Sequence, residues 1–485
     1  MPPPALPPPF LPVSALSIEL DAFVAATAAL HGGFGDARST FECSFARQGT
    51  KTGFFVLAGI EPLLDALERF KLKTDELSWL ESIGAIDAQA KRRLADMRFS
   101  CDVDAAMEGS VVFASEPVIT VEGPFWQAQL VGSFVRSALG SATRAATKAA
   151  RCVLAADGGE IIESSGATAH RLGGNPLVSR AAYVGGAHGT TSALASRRYG
   201  IPARASLPLR LVLAAPNEQS AFDAWLGASG ERAILRIDHR EAASALAHAI
   251  EALRKRRSAP STWHDTELAI EISGGDHAGI ARLAIEMFEE AGLSAPVIVA
   301  SGGIDEFRIA ELCRENVPVS GFIVSSLDVD DASWVAQYDL AAIESGGSWN
   351  PRIRLGRTAA SSSDPGRKVI VRYFDEEGHP IADVAHATNE RIHDVRDIRF
   401  TERATGFPSR LKSAKSAQLL TNVMREGKRV SLPQPTRDIR AYSMASVAAL
   451  HPQHRRLEAP TYYPVGMTPA LAALKTELIA AARGA

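Results

Sequence analysis

Two short loops of nearly the same composition carry the clearest chemical signal in this chain. They are Ser273-Gly274-Gly275-Asp276 and Ser301-Gly302-Gly303-Ile304-Asp305-Glu306. Each joins an apolar burst to a helical pattern. Glycine lets the backbone approach a ligand closely, and the unpaired N–H groups at the start of a helix attract phosphate. Gly-rich loops in such places also serve simply as tight turns, so both readings stand. A third stretch, Ser179-Arg-Ala-Ala-Tyr-Val-Gly-Gly-Ala-His-Gly-Thr-Thr-Ser192, reads as another loop of this kind. In it Arg180 could pair a phosphate through two parallel hydrogen bonds. His188 is either a ligand contact or an ordinary loop histidine. Asp238 and Asp276 fall at strand ends, where carboxylates hold Mg²⁺ or ribose hydroxyls; for Asp276 a helix cap is the alternative. Ser325 and Ser326 end the series.

The elements that must position these residues alternate regularly. Strand patterns at 233–238, 268–273, 297–301 and 321–326 are separated by helical patterns near 241–256, 277–291 and 305–314. Such repetition implies βα units and a parallel sheet. Four units at this spacing favour an α/β barrel over a doubly wound sheet, and a barrel gathers its working groups at the C-terminal strand ends. Upstream, residues 59–70 have helical spacing, 110–125 read as two strands and a turn, and 127–155 read as one long buried helix. Downstream, 345–348 and 360–366 are loops, 368–374 is a strand with its turn at 375–378, and a helix runs from 469 to about 483. No internal repeat is visible.

Composition bounds the class. The chain has 485 residues, is 46% hydrophobic and carries a net charge of −3. That length supports two or three domains, and no basic field points to nucleic acid. Cys43, Cys101, Cys152 and Cys313 are scattered, which argues against a cysteine zinc site or a disulfide framework and for a reducing cytoplasm. The start, MPPPALPPPFLPV, lacks the marks of a signal peptide and reads as an extended or disordered leader over 1–15. No apolar run approaches the roughly 20 residues needed to span a bilayer. From the residues alone, the reading reaches a cytoplasmic α/β barrel with a phosphate-bearing ligand, without a named substrate.

The loops also carry a resemblance. SRAAYVGGAHGTTS resembles the signature SRAAYxGGxxGTSN of nicotinate phosphoribosyltransferases, and VASGGIDEFRIAEL (299–312) is similar to that family's VASGDLDExxI. Further similar segments follow in order: FECSF (41–45), VLAGIEPLLDAL (56–67), EGSVVFASEPVITVEGP (108–124), QAQLV (127–131), ATKAAR (146–151), PGRKVIVRYFDEEG (365–378) and YYPVG (462–466). The resemblance implies an irregular α/β barrel of the type II phosphoribosyltransferase kind, over 136–345, with an N-terminal α+β domain over 16–135. Residues 346–485 would pack back on that domain. It implies a homodimer that joins a pyridine acid, or a related small aromatic base, to phosphoribosyl pyrophosphate, assisted by Mg²⁺; charge and hydropathy add the expectation of no nucleic-acid or membrane partner. Carried over by motif, Arg180, Gly185, Gly186 and Thr190 line the phosphoribosyl site. Ser301, Gly302 and Gly303 cradle a phosphate, and Asp238 and Asp276 match acidic site residues.

The departures from that pattern cluster at the chemistry. The histidine that the family phosphorylates falls at Leu209, within Ala205-Ser-Leu-Pro-Leu-Arg210, so coupling to ATP is in doubt. The arginine expected beside the substrate carboxylate falls at Glu271, which should repel an anion. Paired arginines before the SRAAY segment align with Ala167 and Thr168, next to Ala169 and His170. The tyrosine of an N-terminal motif is missing from Leu16-Ser-Ile-Glu-Leu-Asp21. A glycine phosphate turn is replaced by Ile323-Val-Ser-Ser326. Three readings follow: a nicotinate enzyme with a rearranged site, a phosphoribosyltransferase with a changed acceptor that Glu271 faces, or a non-catalytic nucleotide-binding relative.

Overall fold

The computed structural model describes residues 14–47, 52–165, 176–229, 232–237, 239–258, 267–327, 334–390 and 396–484. The proline-rich start, Asp238 and the 167–170 stretch lie outside them, apart from Ser14 and Ala15. Contacts divide the chain into two compact units, one of residues 1–144 with 330–485 and the other of residues 145–329.

The first unit is built on a seven-stranded antiparallel sheet, in which Arg38–Arg47 lies between Pro117–Pro124 and Trp334–Ser345. The last strand falls within the range that sequence assigns to the barrel. Its pairing with Arg38–Arg47 puts it in this sheet, so the sequence boundary at 345 comes one strand too late. Phe45, Phe55 and Trp334 meet there, each ring 4.9–5.4 Å from the others. Burial of such rings is the dominant gain for the core. A second, six-stranded sheet contains Lys368–Phe374 paired with Pro380–Ala387, the hairpin whose turn the sequence places at 375–378.

Buried charges tie this unit together. Lys368 Nζ donates to both oxygens of Glu42, at 2.7 and 2.6 Å. Burial pushes the Glu42 carboxyl up, and Lys368 draws it back. Arg372 forks onto Asp383, with Nε at 2.8 Å from Oδ1 and Nη2 at 2.6 Å from Oδ2. The long helix expected over 127–155 is instead two helices, Phe125–Leu130 and Gly132–Ala155. A side chain at Gly132 would meet the Tyr338 ring at 2.7 Å, so the second helix starts at a glycine that lets that ring close in. Cys43, Cys101 and Cys152 are buried, and burial pushes the Cys43 thiol up to about 12, far from the thiolate a nucleophile needs.

The second unit holds a parallel sheet of six described strands. In chain order they are β1 (Glu160–Glu163), β2 (Gly189–Thr190), β3 (Arg232–Ile237), β4 (Glu267–Ser273), β5 (Val297–Ser301) and β6 (Gly321–Val324). Their spatial order is β2-β1-β6-β5-β4-β3. The helices between them include α1 (Pro176–Val184), α2 (Ala242–Ser258), α3 (His277–Glu290) and α4 (Glu306–Arg314).

One short segment bonds to both edges of this sheet. Ala203 bridges Thr190 on β2, and Ser206 bridges Ile234 on β3, both in the parallel sense. A flat six-stranded sheet would hold its edges about 24 Å apart, whereas a single strand-like segment between them leaves about 10 Å. The sheet therefore curls round on itself. Ile162, Ile234, Ala269, Val299 and Ile323, from five strands, form one apolar layer inside the curl. No helix among the described residues is long and apolar enough to cross a membrane.

Candidate functional site

Side chains alternate along a strand, so the inner face continues toward the C-terminal ends as Arg236 after Ile234, Glu271 after Ala269, and Ser301 after Val299. These three touch. Glu271 Oε1 accepts from Arg236 Nε at 2.8 Å, from Arg236 Nη2 at 2.5 Å and from Ser301 Oγ at 2.6 Å. The Glu271 side chain is fully buried and that of Arg236 is 36% exposed. Glu271, which would face the acceptor under the changed-acceptor reading, is paired through Oε1 with an arginine of the neighbouring strand. The sequence reading missed Arg236. Its one visible signal is a charge inside an apolar strand, Ile234-Leu235-Arg236-Ile237, matched by another at the same height on the next strand.

Above this layer the two Ser-Gly-Gly loops pack against each other. Gly274 N–H donates to the Ser301 carbonyl at 2.9 Å, and a Cβ on Gly302 would lie 3.0 Å from Gly274 N. Gly274, Gly275, Gly302 and Gly303 all have φ between 73° and 78°, the left-handed region glycine adopts without strain. Buried His277 closes the arrangement by donating from Nε2 to the same Ser301 carbonyl at 3.0 Å. Among the described residues, nothing accepts a hydrogen bond from the N–H groups of Gly275, Gly302 or Gly303.

The helix starts themselves are less available than the sequence implies. Asp276 caps α3 by accepting from Gly279 N–H at 2.9 Å, so the cap reading holds for one of its oxygens. Asp305 accepts from Phe307 N–H at 3.0 Å and Arg308 N–H at 2.8 Å at the start of α4. The caps satisfy donors that a phosphate would otherwise claim. The donors left over at this end are those of the glycine backbone. Ser325 and Ser326 follow β6, half-buried at the same end of the sheet.

The third stretch differs most from expectation. Residues 179–184, read as loop, form the second half of α1, because Val178, Ala181 and Ala182 bury one face of a helix that Pro176 starts well. Arg180 is buried, with its guanidinium 5.7 Å from the Tyr199 ring. A side chain on Gly185 would lie 2.1 Å from the Ala146 carbonyl oxygen, so that glycine serves helix packing. Gly186 turns the chain with φ 106°. His188 Nδ1 accepts from Ile161 N–H at 3.0 Å, while its own N–H donates to the Ile161 carbonyl at 2.8 Å, pinning β2 to β1. Thr190 is fully buried, donates to Glu163 Oε2 at 2.5 Å and accepts from Ser192 N–H at 3.0 Å. Leu209 starts the helix Leu209–Ala214 and is half exposed, on a side chain that cannot carry a phosphoryl group.

A curled parallel sheet with paired glycine loops at its C-terminal strand ends defines a mixed α/β protein, and in such folds that end is where ligands are held. Comparison with known proteins narrows this. The nicotinate phosphoribosyltransferase (NAPRTase) N-terminal domain family matches residues 19–138, and the nicotinate phosphoribosyltransferase C-terminal domain family matches 367–475. Nicotinate phosphoribosyltransferase pncB2 of Mycobacterium tuberculosis is 31% identical over 438 residues, covering 89% of this chain and 86% of that protein. The Bacillus subtilis nicotinate phosphoribosyltransferase is 25% identical, with 90% and 89% covered. In fold, the chain is similar to human nicotinic acid phosphoribosyltransferase, with a TM-score of 0.79 at 21% identity, covering 95% of this chain and 99% of that one. It is also similar to nicotinate-nucleotide pyrophosphorylase from Pyrococcus furiosus, with a TM-score of 0.66 at 18% identity, covering 90% and 95%. The chain belongs to the nicotinate phosphoribosyltransferase family.

Proposed function

We propose that this chain joins nicotinate to phosphoribosyl pyrophosphate, releasing pyrophosphate and forming nicotinate mononucleotide, a step of NAD biosynthesis. The observation that carries the reading is the pair of interlocked Ser-Gly-Gly loops, whose unengaged N–H groups offer a phosphate a cradle at the mouth of the curled sheet. We read that sheet as an irregular α/β barrel of the type II phosphoribosyltransferase kind, working as a cytoplasmic homodimer. In the reaction the pyridine nitrogen bonds to C1 of the ribose as the C1–oxygen bond to pyrophosphate breaks. The protein's task is to align the ring nitrogen with C1 and to stabilise charge.

Mg²⁺ fits as the counter-ion of the pyrophosphate, since it binds through one or two carboxylates plus substrate oxygens. Of the described carboxylates at these loops, Asp276 and Asp305 each keep an oxygen that the cap does not use, and Asp276 is the more exposed of the two. ATP has no phosphorylatable histidine at position 209 to act through. A changed acceptor is not favoured, because it required an unpaired anion at position 271 and Glu271 is paired with Arg236. Titration of the protein with phosphoribosyl pyrophosphate and Mg²⁺, followed by nicotinate, tests the reading. Saturable binding of the donor, with a further response to nicotinate, is the expected result. Binding of neither would leave a relative without the activity.

A further inference from the structure

The glycine loops account for phosphate, but they leave an ion pair inside the curl without a task. Arg236 and Glu271 are register partners on β3 and β4. The inner edge of the guanidinium is tied down, with Nε and Nη2 both on Glu271 Oε1, itself steadied by Ser301 Oγ. Nη1 has no partner among the described residues, and about a third of the side chain remains open. Next to it on the same face is the apolar layer of Ile234, Ala269 and Val299.

We propose that Arg236 receives the carboxylate of the aromatic acid acceptor, and that Glu271 is a positioning residue that holds the guanidinium for it. The inference rests on the reading given under Proposed function and names the residue that selects the acid. Three features point this way. The outward Nη1, with the remaining Nη2 hydrogen, forms one free side of the fork, which suits a carboxylate. The neighbouring apolar layer suits a planar ring. The pair as a whole is close to neutral, so it accommodates a monoanion, whereas a phosphate with two charges would sit against the Glu271 carboxylate. A guanidinium already held along one edge also loses less freedom on binding than a free one.

Steady-state kinetics with nicotinate, with uncharged nicotinamide and with phosphoribosyl pyrophosphate test the assignment. Arg236→Met should raise the nicotinate KM on the order of 10- to 100-fold, the loss of one charge-assisted contact, and leave the donor KM unchanged. The preference for acid over amide should collapse. Arg236→Lys, which keeps the charge and removes the fork, should fall between, and it serves if Arg236→Met does not fold. Glu271→Gln should raise the nicotinate KM with little change in kcat. Arg236→Leu combined with Glu271→Arg, which moves the cation to the adjoining strand, should restore part of the preference. An unchanged preference in both Arg236 variants, or a loss that falls on the donor KM, overturns the inference while the proposed reaction stands. Wild-type protein that cannot use nicotinate at all removes the reading beneath it.

Discussion

Asp383→Ala should lower the unfolding free energy by about 3 kcal/mol, the usual scale for stripping one partner from a buried ion pair. Asp383 is fully buried and takes both arms of Arg372. Arg372 also donates through Nη1 to the Val111 carbonyl at 2.8 Å, and its guanidinium lies 5.5 Å from the Phe113 ring. Tyr463 stacks on Phe113 with ring centroids 3.5 Å apart and donates its hydroxyl to Asp383 at 3.2 Å. Deleting the carboxylate strands the guanidinium and the hydroxyl together. Glu116, 3.7 Å from Arg372, is the one nearby group that can answer. Burial, and then the Asp383 charge, push its carboxyl well up. Removal of Asp383 relieves the second effect, which limits the loss. Urea unfolding of Asp383→Ala and of Asp383→Ala/Arg372→Met measures this. The double variant should be the more stable of the two, because an apolar side chain tolerates the site better than an unpaired cation. A loss below about 1 kcal/mol in the single variant would mean that water or Glu116 already serves Arg372.

Gly185→Ala should cost a similar amount for a different reason. The added methyl would lie 2.1 Å from the Ala146 carbonyl oxygen and 2.8 Å from its carbon. Both are backbone atoms of the helix Gly132–Ala155, so no side chain can swing aside. The turn after α1 must move off that helix, an overpacking cost of about 3 kcal/mol. This separates two roles for one residue. A glycine that only lines a phosphoribosyl site would lose donor affinity on substitution and keep its thermal midpoint. A packing glycine loses the midpoint first. Differential scanning calorimetry alongside donor titration distinguishes them, and an unchanged midpoint would return Gly185 to the ligand.

The contrast shows what the sequence could convey. The four strands from Arg232 to Val324 are legible because each is a short apolar burst, the first three followed by a helical pattern, and both faces of a parallel sheet are buried. The Ser-Gly-Gly loops were legible for the same reason. Composition could not place Ser179–Val184 on a helix, since the glycines that follow made the whole stretch read as loop. The need for glycine at 132 comes from Tyr338, far along the chain, and the strand Trp334–Ser345 joins the rest of its sheet through Arg38–Arg47. Glu271 illustrates the difficulty best. Read alone it is an anion where a cation belongs. Its meaning changes once Arg236, 35 residues earlier, is seen to occupy the register position opposite. Long-range pairing of that kind leaves no local pattern. The assignment of Asp276 to a cap was open from sequence and needed the 2.9 Å contact to Gly279 N–H.

Pyridine mononucleotide synthesis is expected despite the departures from the family at the histidine and arginine positions. Its most direct measurement is product formation from nicotinate, phosphoribosyl pyrophosphate and Mg²⁺, followed by chromatography and a pyrophosphate assay, with and without ATP. Nicotinate mononucleotide and pyrophosphate should appear in equal amounts, at a rate that ATP does not raise, since Leu209 cannot be phosphorylated. Absence of mononucleotide under both conditions would show that the chain lacks the proposed activity.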